Sequence, residues 1–393
     1  PYRRADARHE VVFGRGFARF LMRRGTLELE QTVCVLAETP AEVRLLRIRN
    51  HGDEPKRLRV VPYAHIALGE LAQDTRWTGI DAQAEPAAST LLFASHGNDF
   101  RRGWAFVASS LDCEAHELVR SRFIGGDGRD LANPCFVQYG GPDTGRPDDG
   151  MRCAALAGSL QVPPGGEALV SIVIGQTPSR AESLKLAASL RDPGAAERAV
   201  PETCDWWDEK LSRLRVRTNF PAFDRLVNDW LPYQALTARL WGRAGPSQRS
   251  GAFGFRDQLQ DVMSFLPTWP ELARKQILLH AGQQFVAGDV LKWWHVSWQG
   301  VTGRGERTHA SDPHLWLPHV VARYVEATGD LSILDERTAF LEGEEIPYGR
   351  DGLLVAPRPS RETATVWEHC RRAVELALAR RGRHGIPLMG AGD

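Results

Sequence analysis

The residues of this chain best equipped to do chemistry together lie in one run, Gly254-Phe255-Arg256-Asp257-Gln258-Leu259-Gln260-Asp261. It brings a guanidinium, two carboxylates and two carboxamides into eight residues. A polyol such as a sugar needs donors and acceptors in fixed positions, and Arg, Asp and Gln supply both. Asp257 and Asp261 are four apart, so a helix would set them on one face. Further on comes Thr308-His309-Ala310-Ser311-Asp312-Pro313-His314-Leu315-Trp316-Leu317-Pro318, and between the two lies Gly288-Asp289-Val290-Leu291-Lys292-Trp293-Trp294-His295. Trp293, Trp294 and Trp298 stand among polar residues, where a flat ring can stack on a pyranose and the indole N–H finds a partner. The competing reading of each Trp is ordinary partial burial. The three runs together point to one carbohydrate site.

Bulk properties narrow the field. Lys+Arg and Asp+Glu both total 49, so the net charge is zero. That balance argues against a nucleic-acid binder and gives no reason to expect an anionic membrane surface. No apolar run approaches the roughly 20 residues of a membrane span. The stretch Pro1-Tyr2-Arg3-Arg4 has none of the pattern of a signal peptide. Cys34, Cys113, Cys135, Cys153, Cys204 and Cys370 are scattered without a CxxC, which predicts free thiols in a reducing cytoplasm. His295, His309, His314 and His319 lack a metal-ligand spacing such as HExxH, so neither a metal nor a cofactor is expected. Gly303-Arg304-Gly305 is too short a signal to be a phosphate loop.

The elements that must hold these residues fall into two domains, as a chain of 393 residues suggests. Residues 1–178 alternate apolar and polar in short segments, as in Leu27 to Val35. Turns such as Asn50-His51-Gly52-Asp53-Glu54-Pro55 separate them, which predicts an antiparallel β-sandwich. The loop 140–150 is rich in Gly, Pro and Asp. Residues 179–220 read as a helical linker. From Pro221 onward the periodicity predicts about six helices with no strands among them, over 222–243, 256–266, 271–285, 314–328, 331–337 and 362–379. Periodicity leaves open a bundle, a solenoid or part of an α/α toroid. The Gly/Pro-rich stretch Gly385 to Asp393, directly after a helix, suggests a fragment.

The run Gly251 to Val262 resembles the signature of glycoside hydrolase family 94, the inverting β-glucoside phosphorylases. Gly288-Asp289-Val290 with Trp293-Trp294-His295, Gly303 to Thr308, Ser311-Asp312 with Leu315 to Pro318, Arg323 to Asp330 and Phe340 to Gly343 continue the resemblance in order. The β half resembles it more loosely, through Gly14 to Phe20 and Asn133-Pro134-Cys135. The strongest likeness is to the phosphorylase-like C-terminal part of cyclic β-1,2-glucan synthases.

The resemblance implies an α+β multidomain protein. It would have a β-sandwich (1–178, incomplete at its N-terminus), a helical linker (179–220) and the first part of an (α/α)6 barrel (221–393, incomplete at its C-terminus). Asp312 would be the general acid, with phosphate attacking the opposite face of the anomeric carbon. Phosphate is already an anion, so cations and not a general base must serve it. Arg256, Asp257, Gln260 and Asp261 would grip the sugar, Trp293, Trp294 and His295 would line the cleft, and Arg239 and Arg243 would meet phosphate.

Each role has a plainer alternative. Asp312-Pro313 reads locally as a helix N-cap with Pro at the first position. Arg256 and the two aspartates read as a structural network at a helix start, and Arg239 with Arg243 as a solvated or carboxylate-paired face. Relatives usually carry a second Asp where this chain has Pro313, and another residue at His309. The expected partners are a β-glucan oligosaccharide and inorganic phosphate, the latter as co-substrate. Expected assemblies are a homodimer or a place in a larger membrane-associated synthase chain, working in the cytoplasm. Two other functions compete: a non-catalytic glucan-binding or chain-length-measuring domain, and an inverting hydrolase with a carboxylate base for water.

Overall fold

Alternation of apolar and polar residues produces the strands of the first half much as expected. The computed structural model describes residues 7–68, 79–95, 103–126, 128–243, 251–296 and 302–390. Trp298, Ala391 to Asp393 and the Pro1 to Arg4 stretch lie outside them. The chain divides into two units, Pro1–Asp208 and Glu209–Asp393.

The first unit holds β1 (Arg8–Gly14), β2 (Phe17–Arg24), β3 (Leu27–Val35), β4 (Ala41–Asn50), β5 (Lys56–Val60), β6 (Tyr63–His65), β7 (Ile80–Glu85), β8 (Thr90–Ser95), β9 (Trp104–Ser109) and β10 (Ala115–Val119). Short helices α1 (Arg120–Ile124) and α2 (Cys135–Tyr139) follow, then β11 (Arg152–Val162), β12 (Glu167–Thr177), α3 (Arg180–Leu190) and α4 (Pro193–Leu211). An antiparallel sheet of order β1-β2-β3-β4-β12-β9-β8-β7 faces a smaller one of β10-β11-β5, with β6 beside β11. Leu91, Phe93 and Val107 of the large sheet pack on Ala154 and Leu156 of the small one. Their alternate neighbours Leu92, Phe106 and Val173 turn the other way, onto Ala187 of α3.

Both faces of the large sheet are thus covered around β8 and β9, which is why β8 is buried along its whole length. Each such Leu or Phe is worth roughly 1.5–3 kcal/mol. The segment expected as a separate linker divides at Asp208, and its helices cover the sheet. Ser179 starts α3 with a capping box, its hydroxyl accepting from the Glu182 N–H.

The second unit begins with a helix broken by two π-helical turns: α5 (Pro221–Arg225), a turn Leu226–Trp230, α6 (Leu231–Gln234) and a turn Ala235–Trp241. Then come β13 (Phe253–Gly254), α7 (Phe255–Met263), α8 (Pro270–Ala281), β14 (Leu291–Val296) and β15 (Thr302–Thr308). A 3-10 turn Pro313–Leu315 leads into α9 (Trp316–Thr328), closed by Gly329 at φ 71°. The 3-10 turn Leu331–Asp335, β16 (Arg337–Glu342), β17 (Gly352–Val355), β18 (Arg358–Thr365) and α10 (Val366–Ala379) complete it.

The expectation of helices without strands from Pro221 onward is therefore corrected. β13, β14, β15 and β17 form one antiparallel sheet, and β16 pairs with β18. These segments are short, and aromatic or Gly-rich, so their edges pair only with distant partners that a helical period does not register. The expected helix over 362–379 starts at Val366, where the Thr365 hydroxyl caps it by accepting from the Glu368 N–H. The core of the unit is helical: Phe255, Leu259 and Val262 of α7 are buried, as are Ile277 of α8, Leu317 and Val320 of α9, and Ala373 of α10. The architecture is an antiparallel sheet sandwich followed by a helical domain. Among the described residues no helix is long and apolar enough to cross a membrane. All six cysteines are unpaired.

Candidate active site

α7 carries the first run of polar residues. Gly254 precedes it in extended conformation (φ −101°, ψ 126°), and a Cβ there would run into the Asp257 carboxylate. The glycine lets Asp257 fold back over the helix start. One turn of helix sets Asp257 and Asp261 on a common face, where both meet Arg239. Its Nε donates to Asp261 Oδ2 at 2.9 Å, and Asp257 Oδ1 lies 3.8 Å from Nη2. Burial pushes the Asp261 carboxyl above its ordinary value, against the pull of Arg239 downward. Gln258 is buried and donates from Nε2 to the carbonyls of Arg239 and Leu240, tying α7 to the helix before it. Gln260 is on the exposed side.

Arg256 points elsewhere. Its Nη1 donates to Oδ1 and Oδ2 of Asp312 at 3.3 and 3.2 Å, joining positions 56 apart. The Trp316 indole N–H donates to Asp312 Oδ2 at 3.1 Å. Asp312 does stand at the start of a helical turn with Pro313 first, yet its side chain makes no capping hydrogen bond. Both members of the Arg256–Asp312 pair are more than a third exposed. An ion pair so wetted contributes at most about 1 kcal/mol.

Several of the other expected site residues lie beside the start of α7, where Gly254 pairs with Trp293 and Phe253 with Trp294. Trp293 donates its indole N–H to Glu306 Oε2 at 2.7 Å and lies edge-on to the nearly buried His295. Trp294 is fully buried, stacked on Phe253 with Phe255 and His280 meeting it edge-on. The core reading holds for Trp294, because burial that complete leaves no ring face for a ligand. Arg243 donates to the carbonyls of Gly251 and Trp241 and lies over the Phe253 ring. Arg239 and Arg243, read together as phosphate contacts, thus have different surroundings. Among the described residues no three of His, Cys, Asp and Glu are grouped to hold a metal ion.

Sequence reasoning missed two features. One is Trp316, four residues past Asp312; that one-turn spacing was the available signal. The other is the buried pair Arg307–Asp289, with Nε to Oδ2 at 2.5 Å and Nη2 to Oδ1 at 2.9 Å. Arg307 also donates to the Glu344 carbonyl at 2.8 Å and stacks on Phe285 at 3.9 Å. It braces the end of β15, five residues before Asp312. No local pattern announces such a pair.

In the second unit three histidines are held neutral by burial: His280, His314 and His369 are each pushed down to about 4. His280 Nδ1 donates to the Gln276 carbonyl at 2.7 Å, leaving Nε2 bare. Their ordinary value is 6.5, so on acidification the unfolded chain takes up these protons first. The stability they contribute is full above pH 6.5 and is lost as pH falls toward about 4. His280→Gln should flatten this slope by up to one proton, about 1.4 kcal/mol per pH unit. Urea unfolding across that interval measures it, and parallel profiles for the two proteins would refute it.

Comparison with known proteins bears on this geometry. The model of the glycosyl hydrolase 94 superfamily catalytic domain matches residues 206–393, and that of the glycosyl hydrolase 94 supersandwich domain matches residues 1–193. The cyclic beta-(1,2)-glucan synthase NdvB of Rhizobium meliloti is 38% identical over 394 aligned residues, covering 100% of this chain and 14% of the synthase. The N,N'-diacetylchitobiose phosphorylase of Vibrio furnissii is 25% identical, over 97% of this chain and 48% of the enzyme. This chain therefore spans half or less of the length of either relative. A solved structure described as a candidate kojibiose phosphorylase from the human microbiome has a TM-score of 0.54 at 8% identity, covering 81% of this chain and 42% of that one. At that identity it speaks for the fold alone.

Proposed function

The chain belongs to the glycosyl hydrolase 94 superfamily, and from that premise we propose that it is the phosphorylase module of a β-glucan-processing enzyme. The reaction is inverting phosphorolysis of a β-glucoside to α-glucose 1-phosphate, with β-1,2-linked glucan as substrate. A phosphate oxygen attacks the anomeric carbon from the face opposite the glycosidic bond. That bond's electron pair leaves with the glycosidic oxygen, which takes a proton from Asp312. Asp312 is left as a carboxylate and is reprotonated from water.

The observation that carries this reading is the Arg256–Asp312 contact, because it joins the two polar runs into one half-exposed site. Asp257 and Asp261 are the proposed sugar contacts. Arg239, engaged by Asp261, orients that pair, while Arg243 is the proposed phosphate contact. Gln260, Trp293 and His295 are proposed for the outer part of the sugar site. The synthase relative makes β-1,2-glucan the favoured substrate. This chain covers 14% of that relative, and we place the module in the cytoplasm as part of a larger synthase chain.

A test is release of glucose 1-phosphate from β-1,2-gluco-oligosaccharides by the full-length protein, with and without phosphate. Release that depends on phosphate supports the proposal; release of free glucose without it would indicate a hydrolase. One observation favours a second reading, a non-catalytic glucan-binding domain: the Asp312 carboxylate already has Arg256 as counter-ion. Oligosaccharide binding without turnover would favour that.

A further inference from the structure

Four strands of the second unit meet in one row of side chains. Gly254 of β13 lies opposite Trp293 of β14, Trp293 opposite Glu306 of β15, and Glu306 opposite Leu354 of β17. Residues opposite one another in an antiparallel sheet send their side chains to the same face, about 5 Å apart from strand to strand. The neighbouring row, Phe253, Trp294, Gly305 and Val355, takes the other face, where Trp294 and Val355 are buried. Leu354, at the end of the first row, is exposed. At its other end the Cβ direction of Gly254 runs into the Asp257 carboxylate. Asp257, Trp293 and Glu306 therefore stand side by side on one outer face.

A bulge at Lys292 aims the ring. Leu291 lies opposite Arg307 and Trp293 opposite Glu306, so Leu291 turns into the core while Trp293, two residues on, turns outward and stays half-buried. Glu306 is half-buried too. Its Oε2 accepts from the Trp293 indole at 2.7 Å, and among the described residues no Lys or Arg pairs with it. A carboxylate so placed keeps further acceptor sites for hydroxyl donors, and its charge turns phosphate away. An indole between two carboxylates, spread over two strand spacings of about 10 Å in all, suits a pyranose stacked on the ring with hydroxyls at its rim. We propose that Glu306 is a specificity-determining residue, accepting a hydroxyl of the glucose unit that stacks on Trp293, across the ring from Asp257. The inference rests on the reading of the chain as a β-glucan-processing module, and it holds whichever group donates the proton.

Glu306→Gln keeps the size of the side chain and an oxygen for the Trp293 N–H, while removing the charge and one acceptor. Titration calorimetry of the full-length protein with β-1,2-gluco-oligosaccharides should show affinity about tenfold weaker, as for one lost hydrogen bond to a charged group. In turnover, KM for sugar should rise by the same factor, with kcat and KM for phosphate within about twofold. Monodeoxy oligosaccharides locate the contact: the analogue lacking the hydroxyl that meets Glu306 should bind parent and variant equally. A purely structural role for Glu306 would weaken every analogue alike. If the Gln variant does not fold, Glu306→Asp, which withdraws the carboxylate by one methylene, gives the same comparison. Unchanged affinity, or equal losses across all the deoxy analogues, would overturn the proposal. Binding that depends on Glu306 in a protein without phosphate-dependent turnover would support the contact and sink the phosphorolytic reading alone. Phosphorolysis with a sugar KM untouched by Glu306→Gln would sink the contact alone.

Discussion

Asp312→Asn is expected to cut phosphate-dependent release of glucose 1-phosphate by about 10²–10⁴-fold, the loss typical of a removed general acid. The substitution is close to isosteric. Its carboxamide oxygen can still accept from the Trp316 indole, and its exposed ion pair with Arg256 contributes little to stability. Folding should therefore survive, with the thermal midpoint close to that of the parent. Oligosaccharide affinity should stay within about threefold, because the carboxamide keeps one acceptor oxygen and replaces the other with an N–H donor of the same size. Loss of turnover with retained binding is the combination that marks proton donation. Turnover at the parent rate would remove Asp312 from the chemistry and leave the binding-domain reading.

Arg307→Met should cause the largest loss of stability. The substitution leaves the Asp289 carboxylate, which is only 3% exposed, buried without its bidentate partner. Breaking a buried pair from one side costs about 3–5 kcal/mol. For a domain of this size each kcal/mol lowers the thermal midpoint by about 2–4 °C, so a fall of roughly 6–20 °C is expected. Arg307→Met combined with Asp289→Leu should recover most of that loss, since no charge is then left buried. Thermal unfolding of the three variants decides it. A midpoint change under about 2 °C in the single variant would mean water reaches the site and the pair is no brace.

The same pair explains part of what the sequence could not tell. Asp289 and Arg307 both lie in the stretches that resemble the family, but neither has a local pattern that binds it to the other. Their mutual position depends on β15 meeting the loop after α8. Trp294 makes the complementary point. Its polar neighbours made it look like a surface ring, yet β14 turns alternate side chains to opposite faces and puts this one inward. The strands of the second unit were overlooked for a related reason: pairing partners such as Trp294 and Gly305 come from different segments, and helical periodicity carries no trace of them.

The sequence by itself determined the resemblance to the family, the order of sandwich and helices, and the shared face of Asp257 and Asp261. These depend on residue type and on spacings within one or two turns, which short-range geometry converts directly into structure. Only the tertiary structure decided that Arg256 reaches Asp312, that Trp316 holds one of its oxygens, and that Arg239 belongs to the aspartates of α7. A guanidinium on a long flexible stem can meet any carboxylate within its reach, and packing of the helices that carry them selects which one it meets.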